Sequence, residues 1–367
     1  MTIAAEREAK RRDPTVDAFV ELLARGTPAA VRGWVEAVAA EGRSPTDLVV
    51  DVLGPAQAEV GRRWSSGRWG AAHAGRASAL AEVALAEIAR RIVEPEADEV
   101  LGHVVVACAE SEGHLLPAQM GAEVLRVAGY EVDVVAGPVP APDLLSFVHE
   151  RRPDVVVVTC TLASSFVGAR RSVDAAHLAG RPVVLAGRAV TPARASALGA
   201  EGGAADARDV AEAVEEAAGR TPRRVADRFT PYPADVAELL ARRDELVDRV
   251  VRSLGSDPGL TGDPWQSSEL RQRLAQAVEH LAAARLVQDP SVMSAFADWW
   301  AGRPVADNGP TGVTGLLERL AETLGQHPAH GLAELAATRV RAAGVDDLDL
   351  VRRAERAGPW RDGSAVA

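Results

Sequence analysis

The chain has 367 residues and a formal net charge of −11, and 47% of its residues are apolar, enough for a sizeable core. This length accommodates two or three domains. The acidic balance, without a long basic run, argues against direct binding of nucleic acid, and no apolar run is long enough to cross a bilayer. The charged start has no apolar core, so we expect no signal peptide and a cytoplasmic protein.

The first part of the chain, residues 14–93, is predicted to form a four-helix cap bundle. Apolar residues recur there at the three- and four-residue spacing of amphipathic helices. Gly42 and Pro45 mark one turn between helices. The last helix is expected over 71–92 and is rich in alanine, which lets neighbouring helices approach closely.

Residues 100–219 alternate short apolar runs with amphipathic segments, which predicts a doubly wound parallel sheet of flavodoxin-like strand order. The predicted strands are 104–107, 132–136, 155–159 and 183–186, with a weaker fifth near 202–205. Ligands in such sheets bind beyond the carboxyl ends of the strands. The two cysteines, Cys108 and Cys160, lie in or beside these strands and are predicted to be small core residues.

The last part of the chain, residues 235–345, is predicted to be a separate all-α domain with a helix count similar to that of globins. A linker with three prolines precedes it. Residues 346–367 form a tail, which we expect to be disordered after Arg356.

The loop after the first predicted strand contains a residue that can bind a metal, His114. Glu112 lies two positions earlier, where its carboxylate can accept a hydrogen bond from one imidazole nitrogen and leave the other free for a metal. Gly113 lets the backbone come close to a flat ligand. The alternative is a solvated loop histidine without a ligand.

This loop resembles the Asp-x-His-x-x-Gly signature of cobalamin-binding domains, with Glu112, His114 and Pro117 at the three motif positions. The resemblance implies that His114 is the lower axial ligand of cobalt, with Gly113 and Leu115 beside the cofactor. Glu112 replaces the aspartate of the signature, which keeps the carboxylate on a longer side chain. Pro117 replaces the glycine, and a proline suits the first turn of a helix.

Two further loops match the same family in the same order, so that the resemblance covers roughly residues 45–218. The family has a Ser/Thr-rich turn and a Gly-Gly turn that line the nucleotide tail of cobalamin. The residues implied to contact this tail are Thr159, Thr161, Ala163, Ser164, Ala186, Gly187 and Arg188.

The end of the third helix, from Trp64 to Gly67, resembles an element of the cap bundle in methionine synthases, corrinoid methyltransfer proteins and MerR-type cobalamin photoreceptors. The resemblance implies that Trp64, with Trp69 and His73, lies near the upper face of the corrin. For Trp64 the alternative is a tryptophan of the bundle core.

In the photoreceptors a Glu-His pair covers the upper face, and the matching positions here are Ala74 and Gly75. Two interpretations stay open for these small residues. They permit tight helix packing, or they leave space above the cobalt.

The order of a cap bundle, a cobalamin domain and an appended helical domain resembles the photocobilins, photoreceptors that bind cobalamin and biliverdin. No segment is large enough for a mutase barrel, and residues 1–13 are too short for a winged helix. We therefore expect a light sensor without enzymatic activity that binds adenosylcobalamin or another alkylcobalamin, and biliverdin, and signals to an unknown protein. A corrinoid carrier for methyl transfer, a cobalamin-only regulator and a homo-oligomer remain open alternatives.

The second chromophore requires an apolar, aromatic slot and cations for its two propionates. The candidate residues are His280, Trp299 and Trp300 for the slot and Arg271, Arg273 and Arg285 for the propionates. Because both cysteines belong to the sheet, a thioether link is not expected and the bilin should bind non-covalently. The alternative is that these tryptophans are core residues and these arginines are solvated.

Overall fold

The structure, a computed structural model, describes residues 13–92, 99–222, 228–254, 264–302 and 312–343. The predicted tail 346–367 lies outside these residues. The chain divides into two compact units, one of Met1–Trp64 with Trp69–Thr230 and the other of Ser65–Arg68 with Pro231–Ala367. None of the described helices combines the length and apolar character that a bilayer-spanning segment requires.

The first unit begins with the predicted helical cap. Its helices are α1 (Pro14–Arg25), α2 (Pro28–Ala40), α3 (Pro45–Asp47, then π-helical Leu48–Leu53, then Gly54–Ser65) and α4 (Ala71–Ala89). The sequence pattern did not predict the π-helical stretch within α3. Four of its five apolar residues are buried in the core of the bundle, and Val50 is half-buried.

Local side-chain chemistry starts and ends these helices. Asp13, Thr27 and Ser44 each accept a hydrogen bond from a backbone N–H in the first turn of the following helix, and a proline follows each of them. At the other end of α1 the Arg76 guanidinium donates to the carbonyl oxygens of Leu23 and neighbouring residues. A cation at a helix C-terminus satisfies free carbonyls and matches the helix dipole.

Five described strands form one parallel sheet in the order β2-β1-β3-β4-β5, which confirms the predicted flavodoxin-like order. The strands are β1 (His103–Cys108), β2 (Glu131–Pro138), β3 (Val155–Thr159), β4 (Val183–Ala186) and β5 (Gly202–Ala204). The helices of this region are α5 (Leu115–Val127), α6 (Ala141–Arg151), α7 (Phe166–Leu178), α8 (Pro192–Leu198) and α9 (Val210–Ala218). The valine runs of β1 and β3 are buried, as expected for central parallel strands.

The cap and the sheet share a core through α5. Leu116, Met120 and Val124 on this helix belong to the same apolar cluster as Phe19 and Leu53 of the cap. Helix α5 directly follows the loop that contains His114. The cap is therefore anchored on the helix whose first residue follows the predicted ligand.

In the described residues of the second unit the regular secondary structure is all helical. Its helices are α10 (Ala234–Ala241), α11 (Arg243–Ser253), α12 (Pro264–Val287), α13 (Ser291–Ala301), α14 (Gly312–Leu324) and α15 (His330–Ala342). An aromatic cluster lies between α12 and α13, where His280 stacks on Phe296 at 4.3 Å and Phe296 contacts Trp299 and Trp300 at 5.7 and 5.6 Å.

His280 is held neutral inside this cluster. Its Nδ1 donates to the carbonyl oxygen of Gln276 at 2.7 Å, and burial lowers the pKa of its imidazole to about 4. Trp300 is completely buried, so the alternative of a core tryptophan describes its position.

We predict that this buried imidazole makes stability fall in acid. Between about pH 6.5 and about pH 4 the unfolded state binds the proton that folded His280 rejects, so the free energy of unfolding falls by roughly 3 kcal/mol as the pH is lowered through this window. His280→Phe should remove most of this loss, since phenylalanine can stack on Phe296 without titrating. Urea unfolding of both proteins at several pH values, followed by circular dichroism, measures the difference. Equal acid losses in the two proteins would contradict the assignment.

Candidate functional site

The predicted site residues come from loops at the carboxyl ends of three neighbouring strands. In the sheet register Cys108 of β1 pairs with Thr159 of β3, and Thr159 pairs with Ala186 of β4. The loops that contain His114, Thr161 and Gly187 therefore emerge side by side. Strands β1 and β3 flank the point where the strand order reverses, which is where open parallel sheets bind ligands.

The Glu112 carboxylate holds the first two loops together. The residue is only 1% exposed. Its Oε1 accepts hydrogen bonds from the backbone N–H of His114 at 2.9 Å and from His114 Nδ1 at 2.5 Å. Its Oε2 accepts from the backbone N–H groups of Thr161 at 2.6 Å and Leu162 at 3.2 Å. One buried carboxylate thus binds both loops and fixes the imidazole.

The His114 ring presents its second nitrogen to a ligand. His114 is the N-cap residue of α5 and has an extended backbone, so its side chain stands outside the helix. A carboxylate oxygen only accepts hydrogen bonds, so Nδ1 carries the proton and the lone pair of Nε2 is free for a metal. The side chain is 51% exposed while its partner Glu112 is buried. The hydrogen bond proposed from the sequence is therefore present.

The two groups shift one another's pKa. Burial by itself raises the pKa of the Glu112 carboxyl, but its hydrogen bond and charge attraction with His114 and its backbone donors lower that pKa overall. The Glu112 hydrogen bond raises the pKa of His114 above its ordinary value, against the opposing effect of partial burial. Metal ligation by Nε2 therefore becomes more favourable as the pH rises through this raised pKa.

The β3 loop places its predicted residues unequally. The hydroxyl of Thr159 is buried and donates to the carbonyl oxygen of Ala107 at 3.4 Å, so it is used within the sheet. The Thr161 hydroxyl oxygen is buried without a hydrogen-bond partner among the described residues. Ala163 and Ser164 are half-buried beside it. Of the two predicted hydroxyls, Thr161 is the one placed to receive a ligand.

Leu162 belongs to this site but is not among the residues predicted from the sequence. Its side chain is 43% exposed, although it is a large apolar residue in a loop held by Glu112. The sequence signal that could have identified it is an apolar residue within a Ser/Thr-rich turn. An exposed leucine in a loop held by the same carboxylate as His114 suits contact with a flat, apolar ring.

The β4 turn requires a glycine at position 187 because of a contact within the protein. Its φ of +123° is in the region that favours glycine, and a Cβ there would lie 2.5 Å from the carbonyl oxygen of Cys160. The close approach at Gly187 is therefore made by the protein's own β3 loop, whatever ligand binds nearby. Ala186 is buried at the end of the strand, and Arg188 is exposed.

The end of α3 is anchored by an arginine. Arg63 pairs with the buried Glu59 at 3.0 Å, and its guanidinium lies 5.0 Å from the centre of the Trp69 ring. Trp69 packs partly against the bundle core, whereas Trp64 is half-buried and is not one of the described residues of that core. His73 is exposed in the first turn of α4.

The two small residues of α4 are not packed tightly. Gly75 is exposed, and a Cβ at this position would meet nothing within 4 Å. Ala74 is half-buried against the bundle core. Gly75 is therefore bordered by open space, whereas Ala74 takes part in helix packing.

The predicted bilin residues all lie in the second unit. The three arginines on α12 have different carboxylate partners: Arg271 pairs with Asp248, Arg273 with Glu269 and Arg285 with Asp235. Arg273 is buried, while the other two are partly exposed. Trp299 is half-buried at the edge of the aromatic cluster. The aromatic residues thus form a cluster, whereas each arginine pairs with a different carboxylate.

The residues of the first unit fit a corrinoid. The donor set is an imidazole oriented by a buried carboxylate, which in its neutral form suits a transition metal. The buried Thr161 hydroxyl lacks a partner among the described residues, so a ligand group can supply one. A Cβ on Gly113 would meet nothing within 4 Å, so the loop beside His114 is open.

Comparison with protein families agrees with this geometry. Residues 102–218 match a model described as a B12 binding domain, and residues 15–101 match a second B12 binding domain model. The chain is therefore a cobalamin-binding protein with a helical cap before its B12 binding domain. Curated proteins give no match to this chain.

The solved structures that are similar to this chain include three corrinoid or cobalamin proteins. The Methanosarcina barkeri monomethylamine corrinoid protein is 16% identical, with a TM-score of 0.48 over 57% of this chain and 99% of that chain. The methanol:cobalamin methyltransferase complex of the same organism is 21% identical, with a TM-score of 0.31 over 63% and 91%. A cobalamin-binding protein from Desulfitobacterium hafniense DCB-2 is 19% identical, with a TM-score of 0.30 over 54% and 95%.

We predict that Glu112→Gln lowers the pKa of His114. The change keeps the side-chain shape but removes the negative charge, so the imidazolium loses its stabilising partner and its pKa should fall by about one unit or more. Proton NMR titration of the histidine ring resonances in the cobalamin-free protein measures this directly. Glu123→Gln, on the following helix, is a matched control and should leave the titration of His114 in place. An unchanged pKa in Glu112→Gln would contradict the assigned hydrogen bond.

Proposed function

We propose that this protein is a light-sensing cobalamin photoreceptor in which His114 is the lower axial ligand of cobalt. We further propose that the second unit binds a linear tetrapyrrole such as biliverdin and that the protein signals to a partner protein. The observation that carries the proposal is the Glu112–His114 pair at the switch point of the sheet. It occurs in a chain whose second unit contains a stacked aromatic cluster.

The geometry of His114 supports this assignment. Protein histidines that bind a metal almost always donate their other N–H to a carboxylate or carbonyl group. Glu112 has this role here, and it is itself held by backbone donors, so the ring has one orientation. Leu162 and the open side of Gly113 lie in the same two loops and would contact the flat ring.

The cofactor tail would lie against the β3 and β4 loops. Thr161 offers a buried hydroxyl that needs a hydrogen-bond partner. Ser164 and Arg188 add a second hydroxyl and an exposed cation. These groups suit the amide and phosphate oxygens of a cobalamin tail.

Light sensitivity would come from the cofactor, because the cobalt–carbon bond of an alkylcobalamin breaks in visible light. The cap residues would control the space above it. Trp64 is half-buried, and Gly75 is bordered by open space. We propose that adenosylcobalamin or another alkylcobalamin is the physiological form, since this small pair leaves room for an upper ligand.

The second unit supports a bilin through its aromatic cluster. His280 and Phe296 form one stacked layer, and Trp299 borders it at the half-buried edge. Binding would be non-covalent, because Cys108 and Cys160 are both fully buried in the sheet region and the chain has no other cysteine. Burial also raises the pKa of the Cys160 thiol well above its ordinary value, which disfavours thioether chemistry.

A corrinoid carrier for methyl transfer and a cobalamin-only regulator would use the same first unit. Neither gives a role to the aromatic cluster of the second unit. The cluster is the specific observation that favours the photoreceptor. In this proposal the protein has no catalytic residues of its own.

We predict that a protein nitrogen coordinates cobalt. In the electron paramagnetic resonance spectrum of bound cob(II)alamin, growth of the protein on ¹⁵N should change the nitrogen splitting from triplets to doublets. His114→Ala should show unlabelled triplets from the cofactor's own base, or lose the cofactor. His149→Ala changes an exposed histidine on α6 and should retain the doublets. Triplets in the labelled wild-type protein would contradict ligation by His114.

We predict that excess biliverdin gives the purified protein a red absorption band that cobalamin lacks. Acid denaturation should release the pigment from the polypeptide. Trp299→Ala opens the half-buried edge of the aromatic cluster and should weaken this band, whereas Trp34→Leu alters a half-buried tryptophan of the cap and should not. Spectra taken in the dark and after illumination should differ when an alkylcobalamin is bound. A protein that never acquires the band would be a cobalamin-only sensor.

A further inference from the structure

The segment that leads out of the first unit is fastened to helix α7. The backbone N–H of Thr230 donates to Asp174 Oδ2 at 2.8 Å, and Asp174 is only 2% exposed. The ring of Phe229 lies 5.1 Å from the guanidinium carbon of Arg171. The residues after Thr230 begin the second unit. We call Phe229 and Thr230 the exit segment.

Arg171 also contacts the loop that contains the ligand histidine. Its Nε donates to Glu110 Oε2 at 2.6 Å, and the other oxygen of Glu110 accepts from the backbone N–H of Ala141. The backbone N–H of Glu110 donates to Ser172 Oγ at 3.1 Å. Glu110 is in the same loop as Glu112, so a single arginine contacts both the site loop and the exit segment.

The loop that contains Glu110 and Ser111 packs tightly against α7. A Cβ on Gly168 would lie 2.5 Å from Ser111 Oγ and 2.7 Å from the Ser111 backbone nitrogen. Ser111 lies between the two glutamates. A displacement of the loop therefore reaches α7 directly, through backbone contact as well as through the Glu110–Arg171 pair.

The two contacts that link the site loop to Phe229 through Arg171 are weak enough to change when the loop moves. The side chains of Arg171 and Glu110 are 36% and 26% exposed, so their ion pair is screened by water. A cation–π contact at such a site is also weak. Segments held by few contacts open locally at low cost. The order of this segment thus depends on how firmly its anchor is held.

We propose that Arg171 is a positioning residue that couples cobalamin binding to the exit segment. A ligand at His114 and Gly113 fixes the site loop, which fixes Glu110 and the Arg171 guanidinium, and Phe229 and Thr230 then dock more firmly on α7. The proposal rests on cobalamin binding at this loop and is independent of light and of a bilin. By reciprocity, loosening the exit segment weakens cobalamin binding by the same factor.

Hydrogen–deuterium exchange of the full-length protein tests this, with hydroxocobalamin in the dark as the probe. Hydroxocobalamin should slow exchange of the Thr230 amide by about fivefold or more, at the lower end of typical coupling. Arg171→Ala should abolish this slowing and weaken hydroxocobalamin binding by about the same factor. Phe229→Leu should do the same while the Glu110–Arg171 pair stays intact. Arg151→Ala removes an arginine that pairs with Asp133 on β2, and it should behave as wild type.

Two outcomes would overturn the proposal. One is an unchanged rate of Thr230 exchange when the wild-type protein binds hydroxocobalamin. The other is the same slowing in Arg171→Ala and Phe229→Leu as in the wild type, which would mean that the segment responds by another route. Because binding is measured by the visible spectrum in each sample, a failure of the coupling is distinguished from a failure of light sensing or bilin binding.

Discussion

A buried negative charge organises the cobalamin site. Glu112 is almost inaccessible to water, and an isolated carboxylate in such a place would be strongly unfavourable. Backbone N–H groups from two loops and the imidazole of His114 offset this cost. Hydrogen bonds to a charged group contribute about 1.5–3 kcal/mol each, and removing one partner of a buried charge costs roughly 3–5 kcal/mol. The loops are therefore held only while the carboxylate is ionised and fully bonded.

The sheet topology allows Glu112 to contact both loops. Strands β1 and β3 are neighbours although a strand and two helices separate them in sequence. A side chain in the loop after β1 can then reach the backbone of Thr161, 49 residues away in the chain. Glutamate spans this gap with one oxygen on each loop. The longer side chain compared with the aspartate of the family signature thus has a structural use here.

Much of this arrangement could be predicted from residues alone. The valine runs and the helices between them indicated the parallel sheet, and the spacing of Glu112 and His114 indicated their hydrogen bond. Contacts between distant backbone segments could not be predicted in this way. The approach of Cys160 to Gly187 and the use of the Thr159 hydroxyl within the sheet depend on strand register, which hydrophobic periodicity does not specify.

In the second unit, too, the sequence pattern predicted the helices but not their tertiary contacts. The apolar spacing indicated its helices, and His280, Trp299 and Trp300 indicated an aromatic slot. The sequence does not say which face of a helix a residue occupies against several neighbours. Trp300 is fully buried and Trp299 is at the edge, although they are adjacent in the chain. The arginines of α12 were grouped by closeness in sequence, and each proved to have its own carboxylate partner.

Two glutamates in one loop differ in burial and in bonding, and this difference underlies the coupling proposed for Arg171. Glu112 is buried and bonded on every side, so it keeps the ligand histidine in one orientation. Glu110 is partly exposed, and its ion pair with Arg171 is screened and exchangeable. A rigid contact alone would bind cobalamin without a response elsewhere, and a labile contact alone would give no defined ligand geometry. In the proposed coupling, both contacts act in a single loop, so that a change at His114 would reach a contact weak enough to change with it.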